Sequence, residues 1–321
     1  MNPRLHFIVG IWRSGTTLLR EVLGMNTQVQ VFPEHFVLLR LLEETNKWNE
    51  RSKISFAEKV MSDKDFYYFA KPDKSKLNEA LQGSSNIQEA ILACYQACVK
   101  ANSTALFVDK NPIYSYYLPQ LMEKFPDSKF VWMLREPKDN CISRAKHKIQ
   151  HWKNYGYLAY WWNYTNREIA KQAEKHPEKF LLIPYDQMVV EPEKWVKEIS
   201  HFLEIDFYSE MISFEKKKDE RAAAFMESVK ERDGKIDADS SYAKRKVAMW
   251  ENLQKPINAS KTKQWEKELS PKQIKSIDQM SGEYYQRLLN HQFGFEPQGD
   301  ALYNAFLKLS MASLKYKIRC S

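Results

Sequence analysis

The chain has 321 residues, of which 43% are hydrophobic, and this is enough apolar material to build the core of one large domain. Its 49 lysines and arginines exceed its 41 aspartates and glutamates, so the net charge is +8. The positive charge lies in short clusters, as in a folded protein with an anionic ligand or in a nucleic-acid binder. Because there is neither an arginine-rich arm nor an aromatic RNA-binding motif, we expect no nucleic-acid partner.

The four cysteines do not suggest a metal site. Cys94 and Cys98 are four residues apart in a helical pattern, without further Cys or His at ligand spacing, so we expect two core-facing thiols in a reducing compartment. The N-terminal residues run directly into an apolar strand pattern, and no apolar run reaches membrane-spanning length. These features predict a soluble, cytoplasmic protein.

Short apolar runs alternate with helical patterns along the first two thirds of the chain. The runs predict five buried strands, at 5–10, 29–32, 104–109, 129–134 and 179–185. The stretches between and after them predict helices at 16–25, 118–125, 137–148, 157–175 and 192–203. The alternation indicates an α/β fold of three layers, in which helices flank a central parallel sheet of about five strands, and ligands of such sheets bind at the carboxyl ends of the strands.

Two polar regions, 38–103 and 207–258, are mostly helical in pattern and contain few strand signals. We interpret them as insertions above the sheet, so that residues 1–321 form a single domain. The C-terminal stretch 301–319 has the pattern of an amphipathic, basic helix. Such a helix either packs on its own domain or lies on an anionic membrane surface.

The stretch "IVGIWRSGTT" (8–17) begins like a phosphate-binding loop and then departs from it. Gly10 and Gly15 have the spacing of a Walker A loop, but Thr16 stands where lysine is expected, and the cation is Arg13. Amide groups between a strand and a helix N-terminus bind phosphate-like anions. No clear acidic metal ligand follows a strand, although Asp109 could be proposed, so we expect the anion to be held by side-chain cations and amides without a metal.

Two further clusters carry positive charge near predicted strand or helix ends. Arg135 ends the fourth strand, and Ser143 follows eight residues later, about two turns into a helix. Ser260, Lys261 and Lys263 lie in a short segment before a later helix. Three cationic sites on one side of an α/β sheet indicate a nucleotide with phosphates at both ends of its ribose.

With these motifs the sequence resembles the sulfotransferases that use 3′-phosphoadenosine-5′-phosphosulfate (PAPS), which share the P-loop-type fold. "RSGTTLL" (13–19) is similar to the 5′-phosphosulfate loop of that family, and Arg135 with Ser143 matches its 3′-phosphate motif. Residues 183–203 and 260–278 resemble its Tyr-Asp/Glu strand end and its late cofactor-binding loop. Each motif alone is weak, but four in the right order support the family.

The resemblance implies a PAPS donor, no metal, and a role for each matching residue. Its donor-binding residues are Arg13, Ser14, Gly15, Thr16 and Thr17 at the 5′-phosphosulfate, Arg135 and Ser143 at the 3′-phosphate, Tyr185 near the adenosine, and Ser260, Lys261 and Lys263 over the 3′ end. Trp12 either flanks the adenine or packs in the core. Arg13 also belongs to the catalytic group, since fixed cations stabilise the bisphosphate leaving group.

Two adjacent residues are candidates for the catalytic base. The family's histidine after the third-strand lysine is missing, although Lys110 itself is present, and the chain resembles instead the branch that includes tyrosylprotein sulfotransferases, with a glutamate after the second strand. Glu34 occupies that point, and His35 is the rival. Because neighbours on an extended chain point in opposite directions, only one can face the pocket, and we favour Glu34. Lys110 would stabilise charge on the leaving phosphate.

The acceptor is not readable from a motif. Aromatic residues are plentiful around the predicted pocket, which would suit a small-molecule, sterol or lipid alcohol, but most aromatics in a folded domain are ordinary core. Glycan and tyrosine acceptors stay open, and so does the oligomeric state. The alternatives from other classes are an ATP-dependent small-molecule kinase of the P-loop type and a non-catalytic adenosine-bisphosphate or nucleic-acid binding module.

Overall fold

Five parallel strands form the centre of the molecule in a computed structural model. It describes residues 4–32, 34–42, 48–99, 106–146, 154–213, 215, 227–228, 255–297 and 299–320. The strands are β1 (Arg4–Val9), β2 (Val29–Val31), β3 (Leu106–Lys110), β4 (Phe130–Leu134) and β5 (Phe180–Pro184), in the spatial order β2-β3-β1-β4-β5. Every pairing is parallel, which confirms the predicted α/β fold. Residues 104 and 105 of the predicted third strand lie outside the described residues.

Both faces of the sheet are buried, as the continuous apolar runs require. Successive side chains of β1 enter opposite cores, with Phe7 and Val9 on one side and Ile8 on the other. On β4, Trp132 belongs to the first core and Met133 to the second. The sheet is therefore fixed by packing on two sides, and this rigidity is passed to the loops at its carboxyl edge.

The helices follow the predicted order with shifts of a few residues at their ends. In chain order they are α1 (Thr16–Leu23), α2 (Val37–Leu42), α3 (Glu50–Ser62), α4 (Lys64–Ala70), α5 (Lys74–Gly83), α6 (Ile87–Gln96), α7 (Leu118–Lys124), α8 (Pro137–Ala145), α9 (Tyr155–Lys175), α10 (Tyr185–Met188), α11 (Pro192–Leu203), α12 (Trp265–Glu268), α13 (Pro271–Ile277), α14 (Glu283–Leu289) and α15 (Ala301–Cys320). Short 3₁₀ turns occur at Pro112–Tyr116, Pro177–Lys179 and Ser209–Ile212, and a π-turn occurs at Asp278–Gly282.

Helices α2 to α6 occupy most of the first predicted insertion. Asn49, Asp63, Asp73 and Asn86 cap α3, α4, α5 and α6 by accepting a backbone N–H from the first turn. Of the second insertion, 207–258, only short pieces including the Ser209–Ile212 turn are described, and the rest lies outside the described residues. The single-domain organisation stays a prediction.

The C-terminal helix α15 packs on its own chain. Tyr303, Phe306, Leu307 and Met311 contribute to the main core or pack against it, and the hydroxyls of Tyr157 and Ser310 are 3.1 Å apart. This contact favours the first of the two roles that its amphipathic pattern allows. Among the described residues, none of the helices combines the length and apolarity needed to span a bilayer.

Candidate functional site

The loop between β1 and α1 depends on its two glycines. Gly10 and Gly15 have φ values of 138° and 92°, and Arg13 also has a positive φ of 70°. A Cβ atom on Gly10 would lie 2.6 Å from the carbonyl oxygen of Met133, and one on Gly15 would lie 2.3 Å from the Tyr185 ring. The chain therefore passes too close to its neighbours for any other residue at these two positions.

The N-terminus of α1 is open to an anion. Gly15 is its N-cap, no side chain caps its first N–H groups, and no acidic residue stands in its first turn. Uncapped amides at the positive end of a helix dipole attract anions. The predicted residues Gly15, Thr16 and Thr17 lie at this end.

Two buried polar side chains hold the loop, and sequence reasoning missed both. The Asn140 side-chain amide donates to the Trp12 carbonyl at 3.0 Å and to the Ser14 hydroxyl at 3.2 Å. The Gly10 N–H donates to the Ser115 hydroxyl at 3.0 Å. Ser14 is fully buried, its hydroxyl is turned toward Asn140, and its N–H donates to the Ile11 carbonyl at 3.2 Å. Ser14 therefore shapes the loop, and the amides of Thr16 and Thr17 at the start of α1 are the candidates for anion contact.

Strand β3 supplies the lysine that the loop lacks. The Lys110 ammonium donates to the Thr17 hydroxyl at 3.1 Å and forms an ion pair with Glu34, rather than with Asp109. Lys110 is almost fully buried, whereas 43% of the Glu34 side chain is exposed. The structure thus brings together three predicted residues from the loop, the end of β2 and β3, with the carboxylate on the open side.

His35 points away from this group into the core. Its Nε2 atom is 3.4 Å from the buried Asp109 carboxylate, which accepts hydrogen bonds from the hydroxyls of Tyr95 and Tyr114 at 2.5 and 2.6 Å. Burial and then the charge of Asp109 raise the pKa of both tyrosines, so they remain donors. Glu34 and His35 therefore face opposite ways, and Asp109 is occupied in a buried cluster.

Arg135 joins three segments of the predicted 3′ side. Its guanidinium donates to the Arg13 carbonyl at 2.8 Å and to the Lys261 carbonyl at 2.6 Å, and it stacks 4.8 Å from the centre of the Tyr185 ring. The Arg13 Nε atom donates to the Ser143 hydroxyl at 3.1 Å. Five residues that the sequence distributes over four motifs meet at the carboxyl ends of β1, β4 and β5.

Two guanidinium groups are held near each other without a carboxylate partner. Desolvation first, and then the positive charge of Arg135, lower the pKa of Arg13, whereas the charge of Glu34 raises it. Arg13 as a whole is an exposed residue. An arginine remains charged at neutral pH even so. Among the described residues, no carboxylate lies within ion-pair distance of either group. An anion between them would relieve this repulsion.

The remaining predicted cations lie on an exposed loop. Ser260, Lys261 and Lys263 are all exposed, and Lys263 has a φ of 55°. The loop is fastened through its backbone, by the Lys261 carbonyl to Arg135 and by the Trp265 N–H to Asp139 at 3.0 Å. The backbone of the loop thus lies beside Arg135, and within the described part of the chain no side-chain contact holds the two ammonium groups.

Trp12 has a packing role. It is partly buried, with its ring 5.6 Å from that of Trp161 in an edge-on arrangement and 6.2 Å from that of Tyr116. Within the described part of the chain, no group of three or more His, Cys, Asp or Glu side chains is arranged to hold a metal ion.

The parallel sheet and the glycine-shaped loop before α1 place the chain in the class of P-loop-type α/β proteins. A sequence profile described as "Sulfotransferase family" matches residues 6–210, so the chain belongs to that family. This confirms the assignment made from the motifs.

Curated relatives and solved structures agree with the family. The chain is 26% identical over 217 residues to protein-tyrosine sulfotransferase 1 of Danio rerio, covering 66% of this chain and 56% of that one. It is 24% identical to protein-tyrosine sulfotransferase of Drosophila melanogaster, covering 66% and 40%. The chain thus spans about half the length of these relatives. The sulfotransferase domain of the Synechococcus olefin synthase shares the fold, with a TM-score of 0.54, 18% identity, and coverage of 86% of this chain and 94% of that domain.

Proposed function

We propose that the protein transfers a sulfuryl group from PAPS to a hydroxyl acceptor. The observation that carries this proposal is the group formed by Lys110, Glu34 and Thr17 at the open end of α1, with Arg13 and Arg135 beside it. The donor leaves as a bisphosphate anion, and cations fixed before the reaction stabilise such a charge. Among the described residues, no cluster of carboxylates suited to a metal ion lies in this group.

The chemistry is an in-line displacement at sulfur. The acceptor oxygen forms a bond to sulfur as the bond from sulfur to the bridging oxygen of the 5′-phosphate breaks. The acceptor proton passes to Glu34, and the bridging oxygen leaves on adenosine 3′,5′-bisphosphate, stabilised by Lys110. The Glu34–Lys110 ion pair suits this division of roles, because a donor oxygen that takes over the ammonium leaves the carboxylate free to accept the proton.

A cluster of aromatic side chains packs next to the loop. Trp12, Tyr116 and Trp161 contact one another there, and the Trp161 indole N–H donates to the Tyr116 hydroxyl at 2.8 Å. Such a wall favours a hydroxyl on a hydrophobic or aromatic carrier, either a small-molecule, sterol or lipid alcohol or the tyrosine that the relatives' names indicate. A screen of sterol, lipid, phenol, tyrosine-peptide and glycan acceptors with labelled donor would identify the class.

Donor choice separates the proposal from the kinase alternative. A kinase of this fold would hold magnesium by a carboxylate at a strand end, and Asp109 is engaged with two tyrosines instead. We expect adenosine 3′,5′-bisphosphate to raise the melting temperature, since a ligand selective for the native state stabilises it. Stabilisation by Mg-ATP and not by the bisphosphate would reject the proposal.

The role of Glu34 distinguishes an enzyme from a binding module. Glu34→Gln keeps an oxygen for Lys110 but cannot accept a proton, so we expect bisphosphate binding to be retained and transfer to fall by roughly 10²–10⁴-fold. Glu50→Gln is the matched control, because Glu50 forms an exposed ion pair with Lys53 at 3.0 Å in the insertion. Transfer at the wild-type rate in Glu34→Gln would remove Glu34 as the base. The cytoplasmic location stays a prediction.

A further inference from the structure

Asp139 connects two parts of the chain that lie far apart in sequence. It is the third residue of α8, the helix that also carries Ser143, and its exposed fraction is only 2%. One carboxylate oxygen accepts the backbone N–H of Trp265 at 3.0 Å. Burial raises the pKa of the Asp139 carboxyl, whereas this hydrogen bond and the positive charge of Arg135 favour its charged form. A buried carboxylate therefore accepts the N–H of Trp265, the first residue of α12, shortly after the exposed lysines.

The backbone conformation of that segment needs such a partner. Lys263 has a left-handed φ of 55°, which is unfavourable for a residue with a Cβ atom. The turn directs the Trp265 N–H toward Asp139, while the Lys261 carbonyl is held by Arg135 on the other side of the turn. Hydrogen bonds thus attach both ends of the turn to the α8 region. Each of these bonds involves one charged side chain, and such bonds are stronger than those between neutral groups.

Other contacts between the two parts of the chain are made by side chains and not by the backbone of the turn. The Lys138 ammonium lies 4.5 Å above the Trp265 ring and donates to Asp278 at 2.6 Å. These groups border a cavity of about 520 Å³, which Glu136, Asp139 and Lys263 also line. They join helix to helix, whereas Asp139 alone among the described side chains accepts from the backbone next to Lys263.

We propose that Asp139 is a positioning residue for recognition of the nucleotide 3′-phosphate, because it sets the turn that brings Lys261 and Lys263 beside Arg135 and Ser143. This inference rests on the proposed function. Asp139 does not touch the nucleotide. It determines whether two exposed ammonium groups, which no side-chain contact fixes, stand where a 3′-phosphate would be.

A purely structural role is the competing explanation. A carboxylate in the first turn favourably interacts with the helix dipole, so removal of Asp139 could weaken α8 and affect every ligand equally. Selectivity distinguishes the two roles. Adenosine 3′,5′-bisphosphate and AMP share the adenosine and the 5′-phosphate, and the ratio of their affinities reports the 3′-phosphate alone.

The test measures both affinities for wild type, Asp139→Ala, Asp139→Asn and Asp278→Asn. We expect Asp139→Ala to reduce the preference for the bisphosphate by roughly tenfold or more with AMP binding unchanged, since positioned charge-assisted contacts are lost. Asp139→Asn, which keeps one acceptor oxygen, should rescue part of the preference. Asp278→Asn, which removes the negative charge that faces Lys138 beside the same cavity, should leave it unchanged.

A double-mutant cycle completes the test. In a Lys261→Ala, Lys263→Asn background the 3′-phosphate preference should no longer depend on residue 139, because the groups that Asp139 positions are gone. Asparagine is chosen at position 263 because it tolerates a positive φ. Equal losses for both nucleotides in Asp139→Ala, or an undiminished effect in the lysine-free background, would overturn the inference. A wild-type protein without any preference for the bisphosphate would instead reject the proposed function.

Discussion

The two sides of the candidate nucleotide site differ in how the structure holds their lysines. On the 5′ side, Lys110 is held within β3, paired in register with Ile8 of β1, and is almost fully buried. On the 3′ side, Lys261 and Lys263 are exposed on a turn whose backbone is held by the side chains of Arg135 and Asp139. A cation fixed by a sheet can be placed to stabilise a transition state, whereas an exposed one contributes mainly to affinity and encounter.

The sharpest way to break this comparison is to remove the buried cation. Lys110→Met should lower the transfer rate by roughly 10²–10³-fold, because the leaving oxygen loses its preorganised charge. Glu34 then loses its contact with Lys110, but its carboxylate is partly exposed, so the fold should tolerate the change. The measurement is single-turnover transfer from labelled donor.

Lys129→Met is the matched control for this variant. Lys129 also pairs with a carboxylate, Glu204 at 2.6 Å, but it precedes β4 at the opposite edge of the sheet. Its variant should transfer at the wild-type rate. Similar losses of activity in Lys110→Met and Lys129→Met would mean that the loss in Lys110→Met does not come from the place of Lys110 in the site.

Sequence patterns predicted the sheet side of the molecule well, for a physical reason. Strands β1, β3 and β4 are buried on both faces, so the apolar run and the following glycine or polar residue mark each of them locally. Gly10 and Gly15 were recognisable by spacing because backbone contact leaves no room for a side chain. The opposite orientations of Glu34 and His35 followed from the alternation of an extended chain.

The connections between segments could not be predicted in the same way. Asn140 and Ser115 hold the loop from elements that are distant in sequence, and no local pattern distinguishes them from other polar residues. Asp109 and Lys110 are adjacent on β3 and point to opposite faces, but the carboxylate that meets Lys110 is Glu34 because β2 lies beside β3. Such partners are determined by strand order, which a single sequence does not display.

A pH experiment tests the buried carboxyl of Glu136, which lines the cavity next to the turn of the 3′ side. Burial raises the pKa of Glu136 to about 7, from the usual 4.5. Between these values the unfolded chain releases a proton that the native state keeps, so the free energy of unfolding falls as the pH rises from about 4.5 to about 7. The glutamine of Glu136→Gln cannot titrate. In this variant the decrease in the free energy of unfolding over that pH range should be smaller than in wild type by on the order of 2 kcal/mol.

Denaturant unfolding at several pH values, compared with wild type, measures this difference. The side-chain oxygen of the Glu136→Gln variant can still accept the Asp139 N–H that Glu136 accepts at 2.8 Å, so the cap of α8 is kept. Glu193→Gln, which breaks an exposed pair with Lys197, should follow the wild-type curve. Parallel curves for Glu136→Gln and wild type would show that this carboxyl is ionised throughout the range.

The smallest expected effect lies with the exposed cations and concerns salt. Lys261→Ala with Lys263→Asn should weaken bisphosphate binding by roughly tenfold at low ionic strength and by much less at about 0.5 M salt, because screening acts most strongly on exposed charges. The contribution of the buried Lys110 should persist across the same range. Titrations of both variants against salt therefore measure the comparison directly: parallel salt dependences would mean that solvent reaches both sides of the site equally, and that burial in the sheet does not distinguish them.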